Sequence, residues 1–410
     1  MTLLRKKYVG IVDFIVILSW FYIYFRPLAM EKCAEYINIS LYLWDENLYW
    51  FGTYMSASLV LILQLGVFVN YLYSRARPYS INFEYLNIVN NFFIISLFTI
   101  IVVIYFIYGN SIFPAYREAG ALSIAMPGFN FIYPFIKFTV FFTLLITTFL
   151  FFTTKRIKYL SYLVILIFVL LIMGRRGLLI TPLLVSVFLV GVHLKYSNGF
   201  REFLSFRFLI VFLFLFLIIF FGKSIYSKTK LVEKTQATVV PDICLVVKKG
   251  YQEFDLYWPA VISESKHKIN VLDMPVAILG SFIEHKNRLD NYTNFYSVTD
   301  KTMMKYNYES YYNLKFGISP NIYQFHYYYF GLFSIVVVFI IGMVMGYLEK
   351  SIAVSFFKGS YFKLYVLYLT LYYLNSAMDF TFKYYAFDIF VTVCMYLVWL
   401  FVTKIFKINK

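Results

Sequence analysis

Ten apolar runs, each about the 17–25 residues that a helix needs to cross a bilayer, constrain this chain more than any other feature. They fall at 8–25, 49–72, 88–108, 131–152, 157–174, 177–194, 205–222, 326–348, 361–378 and 385–403. A length of 410 residues would otherwise suit two or three soluble domains. Charged residues supply only 14% of the chain against 61% hydrophobic, whereas soluble proteins carry about 25% charged residues. Disordered, collagenous and disulfide-scaffold classes are excluded by the same figures. The expected fold is therefore an all-α polytopic integral membrane protein with about ten transmembrane helices.

The fifth and sixth runs are divided only by Gly174-Arg175-Arg176-Gly177. Joined, they would be twice the length of one crossing and would place two arginines at mid-bilayer, so a tight helical hairpin is expected. The first run follows Arg5-Lys6-Lys7 and ends in Trp20, Phe21, Tyr22 and Tyr24 without a small-residue cleavage site, which reads as an uncleaved first span.

Orientation follows from the basic residues of the short segments. With the N-terminus in the cytoplasm, inside segments hold 17 Lys/Arg: Arg5, Lys6, Lys7, Arg75, Arg77, Lys155, Arg156, Lys158, Lys195, Arg201, Arg207, Lys350, Lys358, Lys363, Lys404, Lys407 and Lys410. The short outside segments hold seven: Arg26, Lys32, Arg117, Lys137, Arg175, Arg176 and Lys383. The net charge of +16 is thus topological, with no nucleic-acid partner implied. The expected organisation is helices one to seven within 1–222, a large, partly helical external loop over 223–325, and helices eight to ten within 326–410, N-in/C-in. The loop alone resembles soluble protein, with 13 Lys/Arg and ten Asp/Glu. Within it Asp273-Met274-Pro275 reads as a helix start, with His285 and Arg288 opposite an apolar face of Val276, Leu279 and Ile283.

Arg175-Arg176 is the sharpest chemical feature, because two guanidinium forks at the outer membrane face suit a phosphate or pyrophosphate. The competing reading is that they snorkel to lipid headgroups. His326, at the return from the loop, has the side chain best suited to move protons near neutral pH, although a lone interfacial histidine is more often merely solvated. Asp379 and Lys383 are spaced to pair on a continuing helix or to order a substrate, with Asp388 nearby; Arg117-Glu118 is read the same way. Asp13 lies near the cytoplasmic end of the first run. Three scattered cysteines make neither a metal site nor a disulfide framework. Walker, HExxH and G-x-S-x-G motifs are absent.

The Met173-Gly174-Arg175-Arg176-Gly177-Leu178 turn, the late external loop, the Gly317-Ile318-Ser319-Pro320 and Tyr329-Phe330-Gly331-Leu332 re-entry, and the glycines Gly342 and Gly346 together resemble the O-antigen polymerase (Wzy) family. The O-antigen ligases share this plan. The resemblance implies a metal-independent glycosyltransferase without a cofactor, acting at the periplasmic face of the bacterial inner membrane. Its substrate would be an undecaprenyl-pyrophosphate-linked oligosaccharide embedded among membrane lipid, and its partners a chain-length regulator and a flippase. On that reading Arg175 and Arg176, helped by Arg288, hold the pyrophosphate as the glycosidic bond breaks. Arg117 and Lys383 are further substrate-binding candidates, and the proton acceptor stays open among His285, Glu284, His326 and Asp379. The competing classes are a lipid-linked oligosaccharide flippase, a membrane acyltransferase and a noncatalytic scaffold.

Overall fold

The computed structural model describes residues 10–17, 19–20, 23, 46–72, 81–109, 129–154, 156–172, 177–196, 322–374 and 378–405. All regular structure among them is helical. Residues 11–17 form α1; the others are α2 (Glu46–Leu72), α3 (Phe83–Tyr108), α4 (Phe129–Thr154), α5 (Ile157–Ile172), α6 (Gly177–Tyr196), α7 (Ile322–Phe330), α8 (Ser334–Phe357), α9 (Tyr361–Leu374) and α10 (Met378–Ile405). Five helices, α2, α3, α4, α8 with the short 3-10 turn before it, and α10, are long and apolar enough to cross a membrane. The protein is a helical membrane protein. The apolar run 205–222 and the 223–325 loop up to residue 321 lie outside the described residues.

Burial sorts the helices into inner and outer members. Of the apolar stretch of α4, 83% is buried inside the protein, against 17% for α3. The outer helices present large apolar side chains such as Ile95, Val102 and Phe106 of α3 and Phe390, Leu397 and Phe401 of α10. A bilayer is the environment that accepts such faces. Around α4 the core is aromatic: Phe142 stacks on Phe93 with ring centroids 4.7 Å apart, and Phe141 stacks on Tyr368 at 4.5 Å.

Side-chain pairs fix the helix directions. Leu145 and Phe149 of α4 meet Ser186 and His193 of α6 in rising order, so these helices run parallel. Thr147 and Phe138 of α4 meet Asn90 and Phe93 of α3, an antiparallel pair. Helix α9 opposes α4 through Tyr368 with Phe141 and Phe362 with Phe142. It opposes α10 through Tyr373 with Asp388 and Phe362 with Tyr396. Helices α8 and α9 reverse across Lys358–Ser360. There Gly359 has φ +68°, its N–H reaches the Phe356 carbonyl at 2.9 Å and that of Ser360 the Ser355 carbonyl at 2.8 Å. That bond pair is the Schellman closure of a helix on a left-handed glycine.

Helices α2 and α8 run parallel with their backbones in close approach. A Cβ on Gly66 would fall on the Phe339 carbonyl oxygen, and one on Gly342 on the Leu63 carbonyl. Gly346, one turn on, stands 3.3 Å from Val67 by the same measure. Small residues four apart let backbones touch where apolar burial offers little drive for association.

Two corrections to the sequence reading emerge. The expected eighth span, 326–348, is divided: α7 ends at Phe330, Gly331 adopts φ +54°, and a 3-10 turn leads into α8, which continues to Phe357. Lys137, assigned by the sequence to an outer segment, lies inside the apolar stretch of α4.

Candidate functional site

The helix directions give the bundle two ends. At one lie the starts of α4, α6, α8 and α10 with the end of α9; at the other lie the starts of α3 and α9 with the ends of α2 and α8. Each end carries a buried ionisable group, which a membrane span rarely tolerates without a purpose or a partner.

At the first end Lys137 of α4 meets Asp388 of α10, Nζ to Oδ2, at 2.5 Å. The lysine side chain is 20% exposed and the aspartate 5%. Tyr373 of α9 donates its hydroxyl to the same Oδ2 at 2.8 Å. The ammonium also lies 5.5 Å and 5.4 Å from the ring centroids of Tyr372 and Tyr373, a cation–π arrangement on both rings. An ionised carboxylate taken into an apolar interior needs these partners, since its desolvation costs several kcal/mol. The Tyr365 hydroxyl lies within electrostatic range of Asp388 and has no hydrogen-bond partner among the described residues. Tyr368 lies next to Thr181 of α6.

That last contact bears on Arg175 and Arg176. Thr181 is four residues beyond Gly177, so one helical turn, roughly 6 Å, separates Tyr368 from the first residue of α6. Tyr372 stands one turn above Tyr368 on α9, at the level where Gly177 begins. Arg176 directly precedes Gly177 in sequence. Both arginines lie outside the described residues, as do Arg117, Glu284, His285 and Arg288.

Asp379 and Lys383 occupy the first turns of α10, which is continuous from Met378, so their four-residue spacing falls on one helical face. Only their backbone is described. His326 is buried at 2% exposure within α7, its ring 6.1 Å from that of Phe330. Phe51 of α2 packs edge-on to the neighbouring Tyr327 at 5.9 Å, which ties α7 to the same end of the bundle.

The opposite end holds Glu349 of α8, fully buried. It accepts the Val12 N–H at 2.9 Å and the Tyr71 hydroxyl. Lys350 reaches Asn70 and covers the Tyr71 ring at 4.5 Å. Asp13 accepts the Gly10 N–H at 2.9 Å, closing the start of α1. Among the described residues no group of three His, Cys, Asp or Glu is placed to hold a metal ion.

Sequence reasoning noticed Asp388 but missed Lys137 and Tyr373 as its partners. The available signal was one acid and one base, each inside a long apolar run. Comparison with known proteins returns no match to any family model, curated protein or solved structure.

Proposed function

We propose that the chain is a multi-pass glycosyltransferase of the bacterial inner membrane that joins lipid-pyrophosphate-linked oligosaccharide units in surface polysaccharide synthesis. The observation that carries this reading is the Lys137–Asp388–Tyr373 cluster, set near the start of α6, whose first residue, Gly177, directly follows Arg175-Arg176 in sequence. Two arginines adjoining in sequence the helix that begins at this level, together with a hydroxyl-rich, carboxylate-bearing interior, suit a substrate with a charged phosphate end and a polar sugar end. The alternating directions of α2 to α6 and of α8 to α10 support a serpentine of crossings. Helices α6 and α8 run the same way, which calls for an odd number of crossings between them, and the apolar run 205–222 supplies one. The N-in/C-in orientation and the periplasmic face of the site rest on the basic-residue bias.

In this reading Arg175 and Arg176 hold the pyrophosphate leaving group, and a carboxylate or imidazole takes the acceptor hydroxyl's proton. Deleting the gene in its own host and running the surface polysaccharide on a gel tests it. A ladder collapsing to core plus one repeat unit supports polymerisation, and an unchanged ladder overturns it. Loss of all repeat-bearing material, with polymer retained on the lipid carrier, means ligation. Arg175→Ala and Arg176→Ala should each abolish polymer at unchanged protein level. A flippase is the second reading, favoured by the buried Lys137–Asp388 and Glu349 charges, which a transport pathway would use; accumulation of unflipped lipid-linked units on the cytoplasmic face would establish it.

A further inference from the structure

We propose that the Lys137–Asp388–tyrosine cluster is a subsite for a neutral, polyhydroxylated ligand, a sugar ring, and not for the phosphate group.

Electrostatic balance is the first reason. The ammonium and the carboxylate neutralise each other in a largely buried setting. An anion bound to Lys137 would have to draw it from Asp388, leaving a carboxylate buried beside it, and a cation would do the reverse. Uncompensated buried charge is among the costliest arrangements a protein can adopt. A ligand without charge leaves the pair intact.

Unused hydrogen-bonding capacity is the second. Asp388 Oδ2 receives both Lys137 and Tyr373, while Oδ1 receives no hydrogen bond from the described residues. The Lys137 ammonium has three donors, of which one is engaged by a described hydrogen-bond acceptor. The Tyr365 hydroxyl is fully buried and without a partner among the described residues. An acceptor oxygen and two kinds of donor that no described residue engages match a row of sugar hydroxyls, each of which both donates and accepts. The cost of an unmet buried hydroxyl, which native proteins avoid, is removed when such a ligand binds.

The rings supply the third. Tyr372 is 45% exposed at this end of α9, and it meets Tyr373 nearly edge-on, the planes 85° apart with centroids 5.2 Å apart. Aromatic faces set at right angles beside a carboxylate give the C–H surface of a pyranose an apolar wall and its hydroxyls a polar one. This inference rests on the proposed function only in choosing a sugar among polyols, since the geometry is independent of any arginine.

Saturation-transfer difference NMR on the full chain in nanodiscs tests the subsite, with methyl glycosides of glucose, galactose, mannose and N-acetylglucosamine as probes. Wild-type protein should transfer saturation to ring protons of at least one glycoside. Tyr365→Phe removes a single oxygen with no partner among the described residues, so it should keep the fold and weaken binding roughly 2- to 10-fold, the worth of one hydrogen bond. The charge-neutral double variant Lys137→Met/Asp388→Asn should abolish the signal. Absence of transfer to wild type, or transfer undiminished in both variants, overturns the proposal. So does inorganic pyrophosphate binding that disappears with Lys137→Met, which would make this an anion site. These readouts need no polymer. Glycoside binding that survives while Arg175→Ala and Arg176→Ala leave polymer normal would therefore sink the arginine assignment and retain the subsite.

Discussion

The carboxylate of Glu349 accepts a hydrogen bond from the backbone N–H of Val12, a residue 337 positions earlier in the chain, at 2.9 Å. The first turn of a helix has N–H groups with no partner of their own, and here a carboxylate from α8 supplies one for α1. The favourable sense of a negative charge at a helix N-terminus adds to the bond. Tyr71 donates to the same carboxylate, so α1, α2 and α8 meet at one side chain.

Glu349→Ala should therefore lower stability by ~1–3 kcal/mol, the cost of leaving a buried donor unmet. Gly10→Ala should cost less, because what its Cβ would meet is the end of a side chain that can shift. Its Cβ would stand 2.6 Å from Glu349 Oε2, closer than carbon and oxygen can pack. Thermal unfolding in detergent measures both, and a Glu349→Ala protein as stable as wild type would refute the contact.

The glycines between α2 and α8 predict a graded series. Gly66→Ala and Gly342→Ala each drive a methyl group into a backbone carbonyl of the facing helix and should cost about 1–3 kcal/mol, as overpacking does. Gly346→Ala, at 3.3 Å, asks its neighbours to yield only a little and should be the mildest of the three. Comparing midpoints of thermal unfolding checks the order; equal losses at all three would mean the helices do not approach as described.

Removing one half of the Lys137–Asp388 pair should do more harm than removing both. A lone Lys137→Met or Asp388→Asn change breaks a buried pair, a loss of about 3–5 kcal/mol, whereas the double change should be close to neutral. The coupling energy from a double-mutant cycle measures this. Additive single effects would show that the charges do not depend on each other.

Topology has its own test. On the proposed N-in/C-in orientation, a fluorescent protein fused after Lys410 should glow, and alkaline phosphatase inserted between residues 223 and 325 should be active. An inactive phosphatase insertion would reverse the orientation drawn from the lysines and arginines.

Helix positions were legible because the apolar runs are bounded by charge and glycine. The expected 49–72 and 131–152 became Glu46–Leu72 and Phe129–Thr154, and the division at Gly174–Gly177 separates α5 from α6. What remained hidden depends on long-range partners. Lys137 reads as a stray base on the edge of an apolar run because its counter-charge lies 251 residues away. Gly342 and Gly346 entered the reading only through a family resemblance, while their physical role is visible once Gly66 is seen opposite them. The break at Gly331 escaped notice because Phe330 and Leu332 on either side keep the run apolar, and hydropathy does not register a positive φ. Among the proposed site residues only His326 has a described side chain, and its burial in α7 is a tertiary property that no local pattern encodes.

The pairing of α2 with α8 also sets a timetable for biogenesis. Gly66 is synthesised 276 residues before Gly342, which at about 5–20 residues per second is roughly 14–55 s of translation. Through that interval the small-residue face of α2 sits in the bilayer without its mate, and α1 waits with it for Glu349. A ribosome that stalls after α6 leaves both stranded. Assembly of this protein is thus gated from its C-terminal third, and a quality-control protease would find its opportunity in the nascent chain before α8 emerges.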